Sequence, residues 1–521
     1  ETVSEWEGSE LESAGFLKED ILGIKQLDKI ADIVRLIKQN HGHTIDIYNI
    51  DKDDEKVYMR FCNGHNSDIF HFGSRGLTGY CRQLKPKTIH DLIAGIALYR
   101  PGAMESNFHN EYVKRKNGDS RVEYLWGTQH ITEETYGLFC YQEQVMKAVV
   151  DIGGFSLSDA DNVRKAMSKK DKKLLDSYMN GFIQYAINQG CGKDIAIDIW
   201  SKLEKFAEYG FNKSHAAAYA LTGYISQWLK VNYPIEFWTT AFKYAKDDEF
   251  PLYMSEIHYA GDIKIVPPDI NISGKHVSPN FKTNSIHWGF LSIRDLGEVA
   301  VTQILEIRDS IGSYFSFEDF AQRNFFKNSK VNKRTVENLV MSGAFDGIED
   351  IDSITERLKL IETYNTITKR KVKEGIFIDD AVFLKEDWWW NLQQKRLCGV
   401  AFFEYQTLCD NLNTPGYDFY EVEEIKKWGD NIMSTKVTIA GYVIDVIVRD
   451  SKKGEYADIL IESNYNFIYI KIWAEKWIHL KSILKEGEKK ILIINGIAYW
   501  DSYKSDITIT ACEETECLLM G

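Results

Sequence analysis

The spacing of apolar residues changes along this chain, and that change limits the available folds more than any other feature. From about residue 88 to 259 apolar positions recur at helical intervals, with helix signals over 90–98, 135–151, 158–189, 194–208, 216–231 and 234–245. Pro267-Pro268-Asp269-Ile270-Asn271 is rigid punctuation, and two similar short helical units follow. One opens at Leu296-Gly297, and the other runs from Val331-Asn332-Lys333-Arg334-Thr335 to Gly343-Ala344-Phe345-Asp346. From Lys436 onward the interval falls to two, in Val437-Thr438-Ile439-Ala440-Gly441-Tyr442-Val443 and then 457–461, 468–473 and 490–497. Short strands parted by Gly, Asp and Lys turns predict a small barrel. With 521 residues the chain exceeds one core, and roughly three to four domains are expected.

Composition narrows the classes further. A hydrophobic share of 44% with 27% charged residues is that of a globular chain, not a disordered one. The net charge of −14 argues against a protein that coats nucleic acid indiscriminately, so any polyanion site must be local. Eight scattered cysteines, with no CxxC pair, fit reduced thiols and predict no zinc site. No membrane-length apolar run and no leader-like start are present, so a soluble, cytoplasmic protein without membrane partners is expected. The first residue is Glu, and the chain reads as a piece of something longer.

The densest polar string is Tyr209-Gly210-Phe211-Asn212-Lys213-Ser214-His215, which runs into Ala216-Ala217-Ala218. A helix start offers unpaired N–H groups and a positive dipole end, which suit phosphate; a plain start capped by Ser214 is the competing reading. Arg100-Pro101-Gly102 holds an arginine at a rigid helix exit, as a phosphate contact or a surface stop. Tyr141-Gln142-Glu143-Gln144-Val145-Met146 reads on its own as a polar helix face. Arg164, Lys165, Lys169 and Lys170, after the capping signal Ser158-Asp159, concentrate positive charge on an acidic protein. Near the start, Phe16-Leu17, Ile21-Leu22 and Ile24 predict a buried strand leading into a helix from Leu27 to Ile37. Lys18 and Asp20 then share one strand face, as an ion pair or with Asp20 on a metal.

Taken in order, these strings resemble the bacterial C-family replicative DNA polymerases, the DNA polymerase III alpha subunits. Ala14 to Gly23 is similar to the end of that family's palm. Phe70 to Gly76 with Arg75, Ala97 to Gly102, Thr135-Tyr136-Gly137, Tyr141 to Met146, Arg164-Lys165-Ala166-Met167 and Tyr209 to His215 resemble its fingers motifs. The units around Gly297 and Gly343 resemble its tandem helix-hairpin-helix, and the last strands its OB-fold. The resemblance implies a multidomain, mainly α fold with an α/β palm remnant: palm end at 1–30, fingers at 31–290, hairpins at 291–350, a linker or clamp-proximal region at 351–430 and an OB-fold at 431–521.

Function is implied in the same way. The resemblance makes the chain part of a DNA-directed DNA polymerase, a nucleotidyltransferase, with primer-template DNA and dNTPs as partners. Asp20 matches the third of three palm aspartates that hold two Mg2+ ions. Lys18, Arg100, Arg164, Lys165, Asn212, Lys213, Ser214 and His215 match contacts to the incoming nucleotide. Arg75, Lys169, Lys170, Gly297, Lys333 and Arg334 are the expected DNA contacts. Lys165 stands where the family usually has arginine, Ala103 where proline is common, Gly73 for glutamate and Ser168 for glycine, pointing to a divergent member, with a phage as one source. The other two aspartates are expected in a missing N-terminal polymerase portion, leaving the isolated chain inactive. Asp379 to Phe383 sits where a sliding-clamp peptide would, without its leading glutamine. The alternative is a catalytically inactive, polymerase-like nucleic-acid-binding regulator or decoy.

Overall fold

A computed structural model describes residues 5–17, 23–100, 103–104, 106–169, 172–207, 210–246, 249–261, 263–351, 353–368, 386–402, 419–432, 434–463, 465–481, 484, 491–501, 504 and 506–511. The chain divides into two compact units, residues 1–45 and 46–521.

The first unit holds helices Gly8–Ser13 and Lys25–His41. The longer one buries Ile30, Ile33 and Ile37, an apolar stripe at helical spacing, and ends on Gly42 in the left-handed region. The strand expected before it is not seen at Phe16 and Leu17, which are 66% and 83% exposed. A strand needs a neighbour, and among the described residues none pairs with this segment. Lys18 and Asp20 lie outside the described residues.

The second unit starts as a helical body. Helix Lys213–Asn232 packs against Ile89–Leu98, which is buried over most of its length. Gly223 lets the longer helix approach the Phe70–Phe72 segment, where a Cβ would stand 2.7 Å from two Phe72 ring carbons and 3.1 Å from the Phe70 carbonyl oxygen. Four further helices, Gln142–Gly153, Leu157–Lys169, Lys172–Asn188 and Lys193–Ala207, enclose a separate core that includes Val145, Val149, Val163, Phe182, Ile199 and Leu203.

Several predicted boundaries move. The helix expected from Thr135 starts at Gln142, because Tyr136 and Gly137 both take left-handed backbone angles and turn the chain. A Cβ on Gly137 would meet the Glu123 carbonyl at 2.1 Å, so this turn is specific to glycine. The 158–189 helix is two helices, and the first is capped by Ser156, whose hydroxyl accepts from Asp159 N at 3.1 Å, rather than by Ser158.

A small sheet of β1 (Lys264–Val266), β2 (Ser278–Asn280) and β3 (Ser285–His287), in the order β1-β3-β2, precedes the hairpin helices Glu298–Ile311, Phe317–Asn324 and Lys333–Ser342. The segment after residue 350, expected as a linker or clamp-proximal region, contains helices Ile354–Ile367 and Glu386–Cys398. Arg357 ties them to the hairpins: its buried guanidinium donates to Val340 O at 2.7 Å and Asp346 at 2.6 Å and lies 3.4 Å over the Trp390 ring. A buried charge needs such partners, and meeting that need orders a charged stretch without an apolar period.

The C-terminal part is a closed barrel of β4 (Thr435–Ser451), β5 (Gly454–Ser463), β6 (Asn466–Ile472), β7 (Ile491–Asp501) and β8 (Asp506–Ala511), ordered β4-β5-β6-β8-β7. Only β6 and β8 pair in parallel. Helix Ala474–Leu480 joins β6 to β7, and the architecture is OB-fold-like. Alternate residues Ile459 and Ile461, Ile468 and Ile470, Leu492 and Ile494, and Ile507 and Ile509 fill the core, as the period of two predicts. Among the described residues no helix is long and apolar enough to cross a membrane.

Replacing Gly223 by Ala tests the packing of its helix against Phe70 and Phe72. Propensity alone would stabilise the helix by about 1 kcal/mol. The tight contacts with Phe72 and Phe70 reverse the sign, and a net loss of about 1–3 kcal/mol is expected in urea unfolding. An unchanged or raised midpoint would contradict the packing.

Candidate functional site

Two helix starts are held side by side by a short backbone link. Tyr141 and Phe211 form a parallel bridge, with Gln142 N donating to Phe211 O at 2.9 Å and Phe211 N donating to Cys140 O at 3.2 Å. Helix Gln142–Gly153 leaves one side of this link and Lys213–Asn232 the other. Gln144 makes the first start rigid. Its side-chain oxygen accepts from Cys140 N and Tyr141 N at 2.8 and 3.0 Å, while its nitrogen donates to Ile131 O and Thr135 Oγ1. That amide is structural, and it explains Gln144 in the Tyr141 to Met146 string better than a polar face does.

The second helix is capped by Asn212, not Ser214. Asn212 Oδ1 accepts from His215 N at 2.7 Å, and Ser214 falls within the exposed first turn. The Lys213 N–H is already used: both oxygens of Glu143 accept from it, at 3.0 and 2.9 Å. A carboxylate at a helix start is favoured by the dipole. The Lys213 ammonium is held by both oxygens of Glu134 at 2.7 and 2.8 Å and lies 5.3 Å from the centre of the Tyr141 ring.

Other motif residues converge on the same link. Arg100 lies 4.6 Å over the Phe211 ring and donates to Ala97 O at 3.1 Å. Arg164 reaches Gln142 Oε1 at 3.3 Å and is steadied by Asp161 at 2.9 and 3.0 Å. Lys165 pairs with the same Asp161 at 2.7 Å, and these two cations, Lys165 foremost, hold the aspartate below its ordinary range. The His215 ring stacks on Tyr219 at 4.2 Å, and Tyr219 stacks on Phe70 at 5.2 Å with His71 at 4.4 Å.

This arrangement combines arginine and lysine side chains, a helix start and an aromatic column around one backbone bridge. The sequence is similar, over residues 26–190, to the bacterial DNA polymerase III alpha subunit finger domain and, over 262–352, to the helix-hairpin-helix motif. The DNA polymerase III subunit alpha of Aquifex aeolicus is 30% identical over 95% of this chain and 42% of its own length. Those of Buchnera aphidicola and Campylobacter jejuni are 29% and 38% identical, over 98% and 66% of this chain and 46% and 29% of their own lengths. The chain belongs to the family of bacterial DNA polymerase III alpha subunits. It spans less than half the length of these relatives. They are bacterial, and none of them supports a phage source.

Within this family member the remaining residues singled out are spread over other elements. Arg75, at a start capped by Ser74, pairs with Asp445 of β4 at 3.0 Å and lies 5.3 Å from the centre of the Tyr469 ring of β6, joining the helical body to the barrel. Gly297 is the N-cap residue of Glu298–Ile311 and brings no side-chain cap. Lys333 pairs with Glu337 at 3.4 Å, and the exposed Arg334 with Asp295 at 2.6 Å. The Lys169 backbone ends a helix, while its side chain, Lys170 and the segment from Asp379 to Phe383 lie outside the described residues. Among the described residues no group of three or more His, Cys, Asp or Glu is placed to hold a metal ion.

Phe70, His71 and Glu143 fall within the strings Phe70 to Gly76 and Tyr141 to Met146 but were given no role of their own at the site, and Glu134 and Tyr219 were not singled out. The four-residue step from His215 to Tyr219 is a helical neighbour signal. The other contacts are made across the fold and leave no mark in local spacing.

Burial is the main cause holding the imidazoles of His65, His71, His109 and His287 below their ordinary value of 6.5, with His215 adding to the effect at His71. Near that pH the unfolded chain binds more protons than the folded one, so this stability is complete above 6.5 and is lost as the pH falls through the lower folded values. The urea midpoint should therefore drop between about pH 7.5 and about pH 5.5, and drop less in His65→Gln. Equal midpoints at the two pH values would contradict this.

Proposed function

We propose that this chain forms the nucleotide-gripping and DNA-tracking part of a DNA-directed DNA polymerase that joins deoxynucleotides to a primer end. The observation that carries the reading is the convergence of Arg100, Arg164 and Lys213 on the Tyr141–Phe211 link in a member of the polymerase III alpha family. An incoming triphosphate brings about three to four negative charges. Guanidinium groups meet phosphate oxygens with paired donors, and the start of Lys213–Asn232 adds its dipole. Lys165 contributes charge without the planar fork. The column of His215, Tyr219 and Phe70 offers a flat face for a base.

The hairpin helix starts after Gly297 and Asn332 suit the phosphates of duplex DNA, with Lys333 and Arg334 beside them. Arg75 faces a different demand, since a phosphate contact requires it to leave Asp445. The barrel suits a single strand.

The family reading calls for two Mg2+ ions, which in phosphoryl transfer activate the attacking oxygen and stabilise the leaving group. The described residues do not supply such a centre. Asp20 is assigned to it by motif position alone, with the remaining carboxylates expected from sequence outside this chain. The side chains derived above bind and orient the nucleotide.

The test is Mg2+-dependent primer extension by the protein that carries this chain in its natural reading frame. Arg164→Ala should lower kcat/KM for dNTP by about 10- to 100-fold, the worth of one charge-assisted contact. Asp20→Asn should abolish extension. Activity unchanged in both variants would sink the reading.

A further inference from the structure

Arg164, Lys165 and Lys213 each already have a carboxylate partner, but the carboxylates at the two helix starts differ in kind. Asp161 lies on the same helix as Arg164 and Lys165, a local pairing that holds the pair in place. Glu143 serves a backbone N–H and completes the helix start. Glu134 does neither of these things. Its carboxylate comes from 79 positions away and takes the Lys213 ammonium with both oxygens.

Glu134 is also well placed to be exchanged. It sits on the single turn Glu133–Thr135, which the left-handed Tyr136 and Gly137 fix against the helix start. Its side chain and that of Lys213 are each 33% exposed, so the pair faces solvent and a ligand can reach it. The two line an open cleft of about 520 Å3 together with Glu143, Gln144, His130 and Lys147. His90 Nδ1 stands 3.9 Å from the second Glu134 oxygen, a partner that can keep the carboxylate when Lys213 turns away.

We propose that Glu134 is an intramolecular competitor for ligand phosphate: it occupies the anion position on Lys213, and a nucleoside triphosphate binds by displacing it. The inference rests on the nucleotide-binding reading above. Binding at this corner is then an exchange of one anion for another. The exchange lowers affinity and speeds release of any phosphate that uses Lys213. Glu134 is a positioning residue in this scheme, acting through Lys213 and touching no substrate.

A double-mutant cycle on dNTP affinity, measured by calorimetry at about 150 mM salt, tests this with the intact chain. Glu134→Gln should tighten dNTP binding about 10-fold, and the gain should vanish in the Lys213→Ala background. Glu133→Gln, which removes an adjacent charge in the same cleft, should change affinity by less than about 2-fold. An equal gain with Lys213 absent would mean simple charge repulsion and overturn the proposal, as would no gain at all. Glu134→Ala repeats the test with the side chain removed, and a melting curve checks that each variant folds. If wild type binds dNTP and Arg164→Ala weakens it while Glu134→Gln has no effect, the competitor role alone fails. If no variant binds dNTP, the nucleotide reading fails with it.

Discussion

The Tyr141–Phe211 backbone bridge is the constraint on which the cluster depends. Two hydrogen bonds, from Gln142 N and Phe211 N, bring together segments some 70 positions apart and set two helix starts next to each other. Everything polar at the site is referenced to it: Arg164 through Gln142, Lys213 through Glu143 and Tyr141, and Arg100 through the Phe211 ring. The bridge is itself supported by burial. Tyr141 is 2% exposed, and the Gln144 amide secures the carbonyl side of the turn. Rigid backbone under flexible cations is what a phosphate-binding corner needs, because ordering long side chains costs conformational entropy that a fixed platform limits.

The acidity of the chain takes on meaning at this scale. A net charge of −14 coexists with a cationic cluster in which Arg164 and Lys165 are matched locally by Asp161, and Lys213 by Glu134. Such pairs contribute little to stability when half exposed. Their larger effect is on ligands, which meet a neutralised surface and must compete for it. The Arg75–Asp445 pair repeats the theme between the helical body and the barrel.

Sequence patterning revealed much of the architecture, for reasons that are physical. The barrel was readable because a period of two survives wherever one face is buried, as at Ile459, Ile461, Ile468 and Ile470. Helix bodies were readable, but their starts were less so, since capping depends on backbone angles that several nearby residues could adopt. Asn212 and Ser156 cap where Ser214 and Ser158 were expected. β8, six residues long and with the polar Thr508 buried between Ile507 and Ile509, shows too little alternation to stand out, and the helices around Arg357 and Trp390 form through a buried charge that no periodicity encodes. At the site, Arg100, Arg164 and Lys213 were singled out from local strings. The pairings of Glu134 with Lys213 and of Phe70 with Tyr219 required the fold, because the partners lie far apart in sequence.

The central claim is that the two helix starts act as one anion-binding corner. Hydrogen exchange of the backbone amides, followed with and without a saturating dNTP, tests it most directly. The account predicts that protection rises together in residues 142–145 and 213–216, which meet at the bridge. Protection confined to one of the two segments, or to the hairpins and barrel alone, would contradict it.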